Sequence, residues 1–147
     1  MKLTEFYLIV ATVSLALQVA VLALLILGFE LKRRFRFRLH GLVMLLALAI
    51  HLSIILSIMV PSFVLALVPI TLKNPTSLIG LISPVHTAVG STAAVLAVWI
   101  VGTWRLRQST EFCMSKKKVM RATLILWIVS LGLGVLLYLA LDWNALF

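Results

Sequence analysis

Four long apolar stretches, separated by two clusters of basic residues, constrain this chain more than any other feature of its sequence. Hydrophobic residues make up 63% of the 147 residues, and only 12% are charged. A soluble domain is roughly 45–50% apolar, whereas a membrane-spanning helix needs about 20 consecutive apolar residues. We therefore expect an integral membrane protein whose spans are helices, because lipid cannot satisfy the backbone polar groups of an open strand.

The apolar stretches predict one transmembrane domain over residues 1–147, with helices at about 6–29, 39–60, 78–104 and 119–141. A further apolar run, 61–72, contains Pro61 and Pro69. This run either extends the second helix past a kink or lies along the membrane surface. Because consecutive antiparallel elements are usually neighbours, the predicted fold is an all-α, up-down-up-down four-helix bundle.

The basic residues predict the orientation of this bundle. Eleven of the thirteen Lys and Arg residues fall in two clusters between the apolar stretches: Lys32, Arg33, Arg34, Arg36 and Arg38, then Arg105, Arg107, Lys116, Lys117, Lys118 and Arg121. Such clusters are typical of cytoplasmic loops, which places loops 30–38 and 105–121 in the cytoplasm and both termini outside. The net charge of +9 then indicates a multi-pass plasma-membrane protein touching anionic lipid, not a nucleic-acid-binding protein.

The sequence carries no motif of an independent enzyme. It has four acidic residues, and it lacks a Ser-His-Asp set, a glycine-rich phosphate loop and a His-Glu-x-x-His pattern. Cys113 is the only cysteine, which excludes an intrachain disulfide and predicts a free thiol in a cytoplasmic loop. We expect no independent catalytic activity.

His51 and His86 are the main candidate ligands, because both fall deep inside apolar stretches. At 1.5 Å per residue, His51 lies about 18 Å from the inner end of its span and His86 about 12 Å from the outer end of its own. These depths match in a hydrocarbon core of roughly 30 Å. Two imidazoles on adjacent helices can ligate one b-type haem or a metal ion. The alternative is a hydrogen-bonded pair of interior histidines.

Three further residues are weaker candidates. His40 and Met44 share a helix face with His51, since eleven residues return to the same side of a helix. His40 is a candidate ligand for a second haem or metal ion, with Met44 as a soft metal ligand; the alternatives are water or lipid phosphate for His40 and packing for Met44. Gly90 belongs to a stripe of small residues after His86, which admits either a neighbouring helix or a flat cofactor.

Polar residues on the first and fourth spans are expected to point inward. Gln18 in the first span and Thr123, Trp127, Ser130, Gly134 and Tyr138 in the fourth lie on single helix faces. In lipid such faces pack against other helices, and we interpret these side chains as interhelical hydrogen-bonding groups.

A pattern over residues 30–141 resembles a known family. A basic loop precedes His40-x-x-x-Met44, His86 lies early in the third span, and a basic stretch leads into a last helix rich in Trp, Ser, Gly and Tyr. This pattern resembles the YozB/CtaM-like small four-helix membrane proteins, which are associated with haem-copper terminal oxidases and their maturation. The resemblance implies a place near respiratory haem or copper chemistry. The chain departs from the family pattern at two places. Members of the family have further histidines near the outer end of the second span and before the fourth span, where this chain has Pro61 and lysines 116–118.

Together these features favour a small subunit or accessory protein of a respiratory redox system that binds haem b, or alternatively copper, through intramembrane histidines. A cofactor-free structural subunit of a larger membrane complex and an oxidase assembly factor are the alternatives. The expected partners are membrane lipids and other membrane subunits, including a terminal oxidase.

Overall fold

The computed structural model describes the backbone of residues 3–104 and 115–146 and the side chains of residues 8–104 and 115–140. In these ranges the chain forms four helices: α1 (Leu3–Arg33), α2 (Phe37–Lys73), α3 (Leu78–Trp104) and α4 (Lys117–Leu146). All four are long and apolar enough to cross a membrane. Each helix contacts the next, and α4 also contacts α1. The predicted all-α four-helix membrane bundle is confirmed, whereas Cys113 and most of loop 105–121 lie outside the described residues.

The turn between α1 and α2 closes the basic end of the bundle. Phe35 has a φ of 58°, a left-handed conformation that glycine usually supplies at the end of a helix. The Arg36 N–H donates to the Leu31 carbonyl at 3.0 Å, and the Phe35 N–H donates to the Lys32 carbonyl at 3.1 Å. These two bonds form a Schellman motif, so the last carbonyls of α1 are satisfied although no glycine is present.

Helix α2 continues through both of its prolines to Lys73, so the run 61–72 extends the second helix. Each proline is preceded by a wider, π-helical turn, at Ile55–Met59 and Phe63–Leu67. A proline donates no hydrogen bond and crowds the carbonyl four residues earlier. We attribute the wide turns to this crowding, since both segments have the same pattern of five residues followed by Val-Pro.

Helix α3 starts with a side-chain cap. The Gly80 N–H donates to Ser77 Oγ at 3.1 Å, as expected for an N-cap serine. A Cβ on Gly80 would lie 2.6 Å from the Asn74 carbonyl oxygen and 2.9 Å from that of Pro75. The close approach of the 74–77 turn to α3 therefore requires glycine at this position.

Helices α3 and α4 pack with a glycine or alanine on one helix opposite each contacting side chain of the other. A Cβ on Gly134 would lie 3.2 Å from His86 Cε1, and one on Gly90 would lie 2.9 Å from Ser130 Oγ. One turn further along α3, Ala93 shares a buried cluster with Trp127 of α4. This alternation lets the two helices approach closely and determines which residues face one another.

Two close contacts mark the half of the bundle towards the basic end. Beside the α1–α2 turn, Gly41 of α2 lies directly under the indole of Trp104, the last residue of α3, leaving no room for a Cβ. Further into the bundle, residues from all four helices form one buried cluster: Val21, Ala47, Ile54, Ala93 and Trp127. We call this set the core cluster.

Candidate intramembrane binding site

A partly open cavity of about 1310 Å³ lies between the four helices and extends to the turn at Asn74 and Ser77. Exposed side chains such as Val95 and Leu139 belong to its lining, so it is not fully enclosed. Pockets for small molecules typically measure roughly 300–1,000 Å³. Most of its lining is apolar. All four helices contribute polar or aromatic groups to it, and the main ones are Gln18, His51, His86, Trp127, Ser130 and Tyr138. We call it the central cavity.

The ring of His86 is held on α4 by a hydrogen bond. Its Nδ1 lies 2.9 Å from the carbonyl oxygen of Ser130. A carbonyl only accepts, so Nδ1 carries the proton and Nε2 keeps its lone pair. Histidines that bind metals or haem iron commonly donate their other N–H to a carbonyl in this way. His86 thus lines the cavity with its ring fixed by α4, and its role as a ligand stays a prediction.

His51 is buried, with 9% of its surface exposed. Its ring meets the edge of the Trp127 indole, with centroids 5.9 Å apart and planes at 64°. Its Nδ1 is buried and has no hydrogen-bond partner among the described residues. Buried polar atoms of proteins are normally paired with protein groups or ordered water, so this ring nitrogen is the candidate ligand atom of His51.

His51 and His86 both contact the same face of helix α4. His51 contacts Trp127 and His86 contacts Ser130, and these two residues lie three positions apart. Three residues advance a helix by about 4.5 Å, less than one turn. The structure therefore brings the two predicted ligands to the same cavity at neighbouring levels, and ligation of one group by both rings remains a prediction.

His40 and Met44 lie elsewhere. The Nδ1–H of His40 donates to the Gly28 carbonyl at 2.7 Å, which joins α2 to α1 near the basic end. The methyl group of Met44 packs against the same glycine. Neither residue lines the central cavity. Their roles as ligands stay predictions, and their observed contacts join two helices.

Gly90 lines the cavity but also lies against Ser130, as described above. The absence of a side chain here lets α3 and α4 approach, which is one of the two interpretations of the small-residue stripe. Clearance for a flat cofactor at Gly90 remains a prediction.

Gln18 contributes more to the cavity than its sequence position indicated. Only 5% of it is exposed, and its Nε2 is buried without a hydrogen-bond partner among the described residues. The sequence predicts an interhelical hydrogen bond from Gln18, but its Nε2 forms none with the described residues. The sequence did contain a sign of this role, because Gln18 is the only amide side chain in α1 and lies at the middle of that helix.

Comparisons with protein-family models, with curated proteins and with solved structures give no significant match to this chain.

Proposed function

We propose that this chain is a small integral membrane subunit or accessory protein of a respiratory redox system, and that His51 and His86 hold haem b in the central cavity. One observation carries the proposal. The His86 ring is oriented by the Ser130 carbonyl and lines the same cavity as the unpaired Nδ1 of His51.

The chemistry of the donor set favours haem. Two imidazoles complete the axial ligation of a haem iron, whereas a structural metal ion such as zinc usually takes four protein ligands. When bound, haem b would supply one-electron redox chemistry. The resemblance to the YozB/CtaM-like proteins supports the respiratory setting and a terminal oxidase as partner.

The surrounding residues have defined tasks in this proposal. Ser130 keeps the proton of His86 on Nδ1, and Trp127 restricts the rotation of the His51 ring. The core cluster packs apolar side chains around Trp127, and this burial would keep water away from a haem on that side. A dry, apolar surrounding is a main determinant of the reduction potential of a haem.

Absorption spectra of the purified protein test this function. Protein from haem-supplemented cells is expected to show a low-spin Soret band and sharp α and β bands after reduction by dithionite. H51A and H86A would each remove one of the two imidazoles proposed to hold the haem and should lose the low-spin spectrum. H40A is the matched control and should keep it, because His40 does not line the cavity.

A colourless wild-type protein that is helical and monodisperse would contradict the haem proposal. Elemental analysis of the same sample then separates the alternatives. Copper at one equivalent, lost in H51A and H86A, would favour a copper site, and metal-free protein would favour a cofactor-free subunit.

A further inference from the structure

A second space of about 320 Å³ lies between α1 and the part of α2 around Pro61. The contacts of α1 with α2 are concentrated before Met59, and the last segment of α2 contacts α3 instead. The two helices therefore separate at the first π-helical turn. We call this space, lined in part by Val10, Ile58 and Pro61, the α1–α2 gap.

The gap opens towards lipid. Its rim carries Ile9, Val13 and Leu65, which are 54%, 47% and 69% exposed. These residues belong to stretches apolar enough to span the membrane. Apolar side chains exposed at this level of a bundle face acyl chains, so a molecule dissolved in the bilayer can reach the gap laterally.

The gap and the central cavity are adjacent. Four residues line both spaces: Val10, Ile58, Ser62 and Leu65. Only these mainly apolar side chains separate the lipid side of α1 from the central cavity, so a displacement of them would join the two spaces into one path. Such a path suits a hydrocarbon tail, because burial of apolar surface is favourable at every point along it.

An unpaired polar group that the haem proposal does not use lines the central cavity. Gln18 Nε2 is buried and has no hydrogen-bond partner among the described residues. An amide NH₂ is a donor only, so a ligand that pairs with it must carry an acceptor atom such as a carbonyl oxygen. None of the described residues lining the cavity is Lys, Arg, Asp or Glu. A charged head group would therefore be uncompensated at this depth, and the lining selects a neutral one.

We propose that the central cavity binds a lipid-soluble carbonyl compound of the isoprenoid quinone class, which reaches it through the α1–α2 gap. The Gln18 amide donates a hydrogen bond to a carbonyl oxygen of the head group, and the tail lies in the gap. This inference goes beyond the proposed function, because it requires neither haem nor metal.

Decylubiquinone binding to haem-free protein in nanodiscs tests the inference. Trp127 borders the cavity, so bound quinone should quench tryptophan fluorescence saturably. Q18L should weaken binding roughly five- to tenfold, as expected for one lost hydrogen bond to a buried group. V10F should weaken it further by filling the gap. S53A is the matched control, because Ser53 is exposed and bonded to its own helix, and it should bind like the wild type.

Quenching that never saturates in the wild type would overturn the inference, as would equal affinity in wild type, Q18L and V10F. Q18N shortens the amide without removing it and gives a second variant if Q18L does not fold. If dioleoylglycerol displaces decylubiquinone at concentrations below that of decylubiquinone itself, the assignment of the ligand as a quinone would be overturned. The two proposals can fail separately. If the purified protein is colourless but binds decylubiquinone, the haem proposal fails and this inference stands. If the protein carries haem but its haem-free form shows no saturable binding of decylubiquinone, this inference fails and the haem proposal stands.

Discussion

The three histidines of this chain differ in what their ring nitrogens already bind. His40 donates to the Gly28 carbonyl and His86 to the Ser130 carbonyl. His51 Nδ1 has no partner in the described chain and meets an aromatic ring instead. The same residue type thus joins two helices at the basic end and supplies free ring nitrogens at the central cavity.

Phe35 is expected to destabilise the α1–α2 turn through its backbone. A side chain at a φ of 58° costs about 1 kcal/mol relative to glycine. F35G should therefore have a free energy of unfolding about 1 kcal/mol higher than F35A. Titration with SDS, followed by circular dichroism, measures this difference. Both variants lack the Phe35–Phe37 ring contact, so the comparison between them isolates the backbone effect. Equal stability of F35G and F35A would contradict this prediction.

The sequence located the candidate ligands but not their partners. The depth of His51 and His86 follows from counting residues along apolar helices. The bond from His86 to Ser130 depends on the register between α3 and α4, which in turn depends on Gly90, Gly134 and their opposite side chains. No local pattern encodes that register, so the tautomer of His86 required the structure.

At the level of elements, α2 shows how a helix passes two prolines without ending. The sequence left two alternatives for the run 61–72, because proline commonly ends or kinks a helix. The turns before Pro61 and Pro69 widen, and the helix continues to Lys73. The repeated Val-Pro spacing is visible in the sequence, but its effect depends on the packing of the last segment of α2 against α3.

Gly41 is the position where the α2–α3 contact is least tolerant of substitution. A Cβ there would overlap the Trp104 ring, whereas a Cβ on Gly102 meets no atom within 4 Å. G41A should lower the free energy of unfolding by about 1–3 kcal/mol through overpacking. G102A is the matched control and should be neutral or stabilising by up to about 1 kcal/mol. Equal changes in the free energy of unfolding of G41A and G102A, measured by SDS titration, would contradict a close contact between Gly41 and Trp104.

At the scale of the molecule, the bundle consists of two close helix pairs, α1 with α2 and α3 with α4. The central cavity lies where these pairs meet. Apolar stretch length predicted the four spans because the bilayer restricts a chain to few structures. The cavity was not predictable in the same way, since it depends on how the side chains of all four helices pack against one another.

The orientation predicted from the basic clusters is testable with cysteines. A membrane-impermeant maleimide should label C113S/T76C in intact cells, because Thr76 is exposed in the turn opposite the basic end. The wild-type protein, whose only cysteine is Cys113, should be labelled only after the membrane is permeabilised. The reverse labelling pattern would place loops 30–38 and 105–121 outside the cell.

The pairing of helices has a consequence for biosynthesis. Both close pairs are formed by segments adjacent in the chain, and their partners leave the ribosome one after the other. The first hairpin can insert and associate before residues 78–146 are translated, and the second can then fold as a unit beside it. We expect docking of the two hairpins to be the last step of assembly, and this step would form the central cavity between them.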